Sequence, residues 1–210
     1  MLYDEFVKIF AHRGLWQDHA DQNSIRAIEA AFALGLSVEI DLWKKDETGQ
    51  IWVGHDIGIA KTNLEDILKS WVKFENVSLA LNIKCDGMLS SLILLFEKYA
   101  KTKKLDYFAF DMSMPEQYIY LKNGFPIAHR LSEFESNNTI VEGRIYWLDS
   151  FESDWYLSLE SDSLAALLKS SIVVSPELHR RSSSEVHRIV RQFETLGICL
   201  DNVEEFNDII

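Results

Sequence analysis

Short apolar runs and amphipathic stretches alternate along nearly the whole of this 210-residue chain, and few folds accept that rhythm. Residues 6–11 read as a strand. From Asn23 to Leu34, Ile25, Ile28 and Phe32 fall on one helical face, and Gly35 gives a stop signal. Residues 37–43, 51–54 and 78–84 are strand-like, with a helix at 64–71. Residues 89–99 are helical, with Leu92, Leu95, Phe96 and Tyr99 on one side. A strand at 107–110 precedes a helix at 115–122 that opens on proline, a residue suited to a first helical turn. Strands at 125–128, 144–148 and 172–174 follow, with a helix near 163–169. Ser182 and Glu185 make a capping-box pattern. It opens a helix with Val186, Ile189, Val190, Phe193 and Leu196 on its inner face and His187 on its solvated side. Gly197 ends that helix, and 198–200 is a last strand. About eight strands alternating with helices mean a parallel sheet with helical cover. The expected form is an α/β fold, a minimal (β/α)8 TIM barrel making one domain over residues 1–210, since such barrels begin at about 200 residues. A doubly wound open sheet shares the pattern, but no GxGxxG or GxxxxGK[ST] loop supports it.

Charge narrows the function classes. With 33 Asp and Glu against 21 Lys and Arg, the formal charge is −12. Non-specific binding to nucleic acid or an anionic membrane needs the opposite balance. Two cysteines, Cys85 and Cys199, make neither a disulfide framework nor a CxxC knuckle, and both are expected as buried thiols. The opening MLYDEFVKIFAHRG carries acids early, and its apolar stretch is short for a signal peptide. No segment approaches the ~20 apolar residues of a membrane span. The expected address is the cytoplasm, without stable membrane anchoring.

In a barrel, chemistry collects where strands end. The first strand ends in His12-Arg13-Gly14. The second holds Glu39 and Asp41, which at i and i+2 share a face with α-carbons roughly 6.5–7 Å apart. Two buried acids repel and desolvate each other, so they need protons or a cation, and a hard divalent cation is the simplest partner. His55-Asp56 follows residues 51–54. On the third strand, Asn82, Lys84 and Asp86 alternate onto one face, and an inward lysine needs an anion: an acid such as Glu39, or a phosphate. Later strand ends add Asp111, Ser113, His129, Arg130, Trp147, Asp149, Glu177, His179 and Asp201. Trp147, Glu177 and His179 are candidate substrate contacts.

The string FAHRG…QNSIRAIEAAFALGLSVEIDLWKKDETGQIWVGHD is similar to the opening of the glycerophosphodiester phosphodiesterase family. That pattern runs His-Arg-Gly, Glu-Asn-Thr, Glu-x-Asp and His-Asp over residues 9–56. Asn82-Ile83-Lys84 resembles the family's Glu-x-Lys. The resemblance implies a TIM barrel of the phospholipase-C-like phosphodiesterase type and metal-dependent cleavage of phosphodiesters, with Mg²⁺ or Ca²⁺ as the cation and a place in lipid metabolism. It implies His12 and His55 as the acid/base pair and Arg13 as a phosphate ligand. Glu39 and Asp41 fall on the metal carboxylates, and Lys84 on the lysine that meets the phosphoryl oxygens. Gln22 stands where the family usually has Glu, and Asn82 replaces the acid expected as third metal ligand, with Asp86 on the same face to compensate. Only residues 57–62 separate His55-Asp56 from the next helix, where the family often has an insertion, so a more open site is expected.

Such chemistry fits a small phosphodiester. A cation with Arg13 and Lys84 stabilises charge on the non-bridging oxygens, while one histidine takes a proton and the other gives one. Two other readings stay open. One is a lyase resembling sphingomyelinase D that stops at the cyclic phosphate. The other is a non-catalytic barrel that binds a phosphorylated ligand.

Overall fold

The structure is a computed structural model that describes residues 7–45, 48–100, 106–135 and 140–208. The described residues form two compact units, one within 11–127 and the other within 1–10 and 128–210. Strand β1 (Lys8–His12) begins in the second unit and ends in the first. Phe6, the expected start of this strand, lies outside the described residues.

In the 11–127 unit, α1 (Ile25–Ala33) starts where Ser24 Oγ accepts from the Ala27 N–H. Its buried face carries Ala27, Ile28, Ala31 and Phe32. Burying a side chain the size of Ile28 or Phe32 contributes about 2 kcal/mol. Strand β2 (Ser37–Lys44) pairs antiparallel with β3 (Ile51–Val53), which pairs with the two-residue β4 (Thr62–Asn63). The helix α2 (Leu64–Trp71) buries Leu64, Ile67, Leu68 and Trp71. On its other side β2 pairs parallel with β5 (Leu79–Ile83), setting Asp41 opposite Asn82. After α3 (Leu89–Ala100), β6 (Tyr107–Phe110) extends the parallel run from β5. The helix α4 (Met114–Lys122) closes the unit. A strand at 125–128 does not form: Ile127 makes a single bridge to Ala109. Pro126 has no N–H to give a ladder, and only its carbonyl is used, accepting from Ala109 at 2.9 Å.

The other unit is parallel throughout. β7 (His129–Leu131), β8 (Tyr146–Leu148), β9 (Ser171–Val174) and β10 (Gly197–Leu200) pair in that order. Its helices are α5 (Ser161–Lys169), α6 (Ser184–Gln192) and α7 (Val203–Asp208), the last carrying no sequence signal strong enough to announce it. α6 departs from expectation at both ends. Ser183, not Ser182, is its N-cap, with no side-chain capping bond. Phe193 is already extended, because the Thr195 hydroxyl takes the Val190 carbonyl that a longer helix would have used. His187 is fully buried, not solvated. Ser175 at the end of β9 lies 2.8 Å from its Nε2, and the Phe206 ring stands edge-on at 5.1 Å. A buried hydroxyl partner turns a polar residue inward, which a count of apolar spacings cannot register.

Cys85 and Cys199 are both free thiols, and only Cys199 is fully buried. No helix among the described residues is long and apolar enough to cross a membrane.

Candidate active site

The best-defined polar cluster lies in the 11–127 unit. β1 ends at His12, and the chain then turns through Arg13 and Gly14 in left-handed conformations, φ 61° and 88°. For arginine this costs about 1 kcal/mol or more, and the surroundings hold it there. The Arg13 N–H donates to Glu39 O at 3.0 Å, and its carbonyl accepts from the Asn23 N–H at 3.0 Å. Gly14 is required on a second ground: a Cβ would lie 2.6 Å from the Ala27 carbonyl carbon, inside the first turn of α1.

Glu39 and Asp41 project from one face of β2, and both are buried. Their surroundings differ sharply. Asp41 is surrounded by donors: Arg13 Nε at 2.8 Å and Asn23 Nδ2 at 2.9 Å on Oδ2, and Lys84 Nζ at 3.0 Å on Oδ1. The Asn23 bond is well directed. The two cations meet Asp41 as close charge contacts, since Arg13 Nε and Asp41 Oδ1 find no aligned hydrogen bond. Burial pushes the Asp41 carboxyl up, but Lys84 and Arg13 outweigh it and hold it below its ordinary range. Glu39 has no such company. Neither carboxylate oxygen has a hydrogen-bond partner among the described residues, and His12 Nε2 stands 3.9 Å from Oε2. Burial first, and the Asp41 charge second, raise its pKa to about 7.

Asn23 and Gln22 order the cations. Asn23, itself at φ 60°, accepts from the Asp41 N–H and donates to its carboxylate. Gln22 Oε1 accepts from Arg13 Nη1 at 3.1 Å, so the amide that departs from the family pattern supports the arginine. The lysine expected to face Glu39 or a phosphate is paired with Asp41 instead.

His55 reaches this edge by strand pairing. The Gly54 N–H donates to Asp41 O at 3.0 Å, which sets His55 just beyond the partner of Asp41. A Cβ at Gly54 would come 2.6 Å from Ala60 Cα, so glycine lets the 54–60 turn close this tightly. The His55 ring is half-exposed, its Nδ1 3.1 Å from Asp56 Oδ2. Asp86 lies past the end of β5, so strand alternation no longer directs it. It is exposed and accepts from Ser113 Oγ at 2.7 Å.

The fit of a cation can be judged from unmet oxygens. Asn82 Oδ1, like both Glu39 oxygens, is buried without a hydrogen-bond partner, and Asn82 shares the face of Asp41 through the β2–β5 register. Among the described residues no three His, Cys, Asp or Glu side chains gather closely enough to hold a metal. With Asn82 the cluster would offer two carboxylates and one neutral amide, oxygen donors of the kind that suits Mg²⁺ or Ca²⁺.

The remaining candidates belong to the second unit. Trp147 is buried on β8. Glu177 Oε1 accepts from the N–H groups of Asp201 and Asn202 at 2.8 and 2.9 Å, capping the turn into α7. His179 Nε2 meets Asp149 Oδ1 at 2.7 Å, and the Phe151 ring lies 4.6 Å from its own. Sequence reasoning missed Trp16 and Trp43, whose indoles donate to His12 O and His55 O. Alternation offered the signal for Trp43, which continues the face of Glu39 and Asp41.

No protein-family model matches the sequence, and no curated protein sequence matches it. Solved structures do. A glycerophosphodiester phosphodiesterase from Parabacteroides distasonis superposes with a TM-score of 0.67 at 21% identity, over 96% of this chain and 95% of that one. A protein from Silicibacter pomeroyi assigned as a glycerophosphoryl diester phosphodiesterase gives 0.66 at 13% identity, over 99% and 94%. The chain is similar in fold to these two proteins, and theirs is the family that its opening motif resembles.

Proposed function

We propose that this chain is a metal-dependent phosphodiester hydrolase resembling glycerophosphodiester phosphodiesterase, acting on a small glycerol-, polyol- or sugar-linked phosphodiester. One observation carries the reading: two acids on one buried strand face, Asp41 surrounded by cations and Glu39 with both oxygens unmet. A purely structural pair would have both acids satisfied. Arg13 and Lys84, gathered and oriented by Asp41, bind the non-bridging oxygens of the substrate. Glu39 and Asn82, with Asp41 on the same face, would hold the cation, which when bound would stabilise charge developing on the phosphoryl oxygens. His12 and His55 exchange protons with the nucleophile and the leaving alkoxide. Asp56 on Nδ1 of His55 leaves Nε2 for that exchange. The (β/α)8 barrel and its single-domain organisation belong to the same proposal, supported by the strand–helix alternation and by the fold likeness over 96% of the chain.

The test is turnover of glycerophosphocholine and bis(p-nitrophenyl) phosphate with Mg²⁺, Ca²⁺ or Mn²⁺, and products followed by phosphorus NMR to separate hydrolysis from cyclisation. His12→Ala and His55→Ala should each lose on the order of 10²–10⁴-fold on glycerophosphocholine. The histidine that protonates the leaving group should matter little for the p-nitrophenyl ester, whose leaving group needs no proton. Equal losses for both variants on both esters refute the acid/base assignment.

A further inference from the structure

We infer that Trp16 and Trp43 are positioning residues, each holding one of the two candidate acid/base histidines through its backbone carbonyl. The roles of the histidines rest on the function proposed above. The contacts do not: Trp16 Nε1–H donates to His12 O at 3.0 Å, and Trp43 Nε1–H donates to His55 O at 3.2 Å.

His12 is the last residue of β1, and His55 lies two residues beyond β3. At both positions, where a strand gives way to a turn, the indole N–H supplies a donor to the histidine carbonyl. Indole is well suited to the task. It donates and cannot accept, so the contact has one polarity, and its large ring has only two side-chain torsions to fix. The Trp16 ring is itself held, and Trp43 is placed by its strand. Trp16 stacks on His19 with centroids 4.8 Å apart, and Gln22, the support of Arg13, contacts His19 Nδ1 at 3.3 Å. Trp43 stands in β2 on the face of Glu39 and Asp41, opposite Trp52 in the register with β3. Holding that peptide plane narrows the directions in which the imidazole can leave the backbone. That matters most for His55, whose half-exposed ring is met at its Nδ1 only by the still more exposed Asp56 among the contacts described above.

A related contact, to an aspartate carbonyl, lies within the other unit. Trp155 Nε1–H donates at 3.0 Å to the carbonyl of Asp149, the residue after β8 whose carboxylate meets His179. Trp71, by contrast, donates to Val77 O, far in sequence from any histidine of the site, and provides a control.

The experiment is a pair of double-mutant cycles on the full chain, with glycerophosphocholine and Mg²⁺ as probe. Phenylalanine keeps most of the ring and removes the donor. Trp43→Phe should lower kcat about five- to tenfold, with KM within about twofold. In a His55→Ala background it should cost nothing further, because the group it positions is gone. Trp16→Phe should behave in the same way toward His12 and remain costly when His55 is absent. Trp71→Phe should cost the same in every background. The inference is overturned if Trp43→Phe costs as much in His55→Ala as in the parent protein. A second readout is independent of turnover: the imidazole resonances of the metal-free protein. Trp43→Phe should move the His55 ring signal and leave His12 in place, and Trp16→Phe should do the reverse. If neither signal moves, the inference fails whatever the activity. If the signals move as expected but no phosphodiester turns over, the proposed function fails and the positioning role stands.

Discussion

Glu39→Gln should make the metal-free protein more stable at neutral and alkaline pH while abolishing its response to divalent cations. Burial and the charge on Asp41 raise the Glu39 pKa from 4.5 to about 7. Below pH 4.5 the folded and unfolded chains both keep this proton. Between pH 4.5 and about 7 the unfolded chain releases it and the folded chain retains it, so stability falls as pH rises. Above that window the fold carries an ionised carboxylate with no hydrogen-bond donor, at a cost of about 3 kcal/mol by the usual 1.36 kcal/mol per pH unit. Glutamine removes the titration. The sequence pI near 4.9 makes work at lower pH impractical, so the comparison begins at about pH 5.5. Urea unfolding in EDTA at pH 5.5 and 8 should show the variant gaining about 2 kcal/mol on the parent between those two values. Adding Mg²⁺ at pH 8 should stabilise the parent through ligand linkage and leave the variant unchanged. A variant-minus-parent difference that stays constant across the window, within about 0.5 kcal/mol, would refute the account of an unmet buried charge.

Three further outcomes are expected. Asp41→Asn leaves Arg13 and Lys84 beside one another without their anion, and should destabilise by about 3 kcal/mol, read as a thermal midpoint lowered by roughly 10 °C. Asp86→Asn keeps an acceptor for Ser113 Oγ, so metal affinity by calorimetry and turnover should stay within about twofold of the parent; a loss of tenfold or more would give its charge a direct role. Gly14→Ala drives a Cβ against Ala27 at φ 88° and should cost about 3 kcal/mol in chemical denaturation, whereas Gly124→Ala, at φ 69° with open space around it, should cost about 1 kcal/mol.

What could be read in advance was the part of the molecule governed by local pattern. The helix at 64–71 and the strand at 107–110 were legible to the residue, because periodicity and flanking turn residues agreed there. Strand alternation puts Glu39 and Asp41 on one face, but does not say that both faces of β2 are buried. Partners could not be read. Nothing in the spacing of Lys84 says that its amine reaches Asp41 and not Glu39; that depends on where Arg13 and Asn23 already stand. Apolar spacing puts His187 on the wrong side of its helix because its partner, Ser175, lies in another element. Alternation projects Asp86 along a strand that ends three residues earlier, and the strand expected at 125–128 gives way to one at His129–Leu131, since Pro126 withholds a donor. Chemistry-bearing residues were visible as types; their division of labour was not.

Asn23 has a consequence for how the molecule comes together. One residue, held at a positive φ, joins the backbone of Arg13, both the amide and the carboxylate of Asp41 eighteen positions away, and Thr62 Oγ thirty-nine positions away. The bonds to Asp41 and Thr62 are not available to a chain in which only α1 and its flanking turn have formed. The cluster around Asp41 is therefore complete only once β2 and the segment at β4 have docked on the Arg13 turn. A nascent or partly unfolded chain would carry the same charged residues without the arrangement that gives them a purpose.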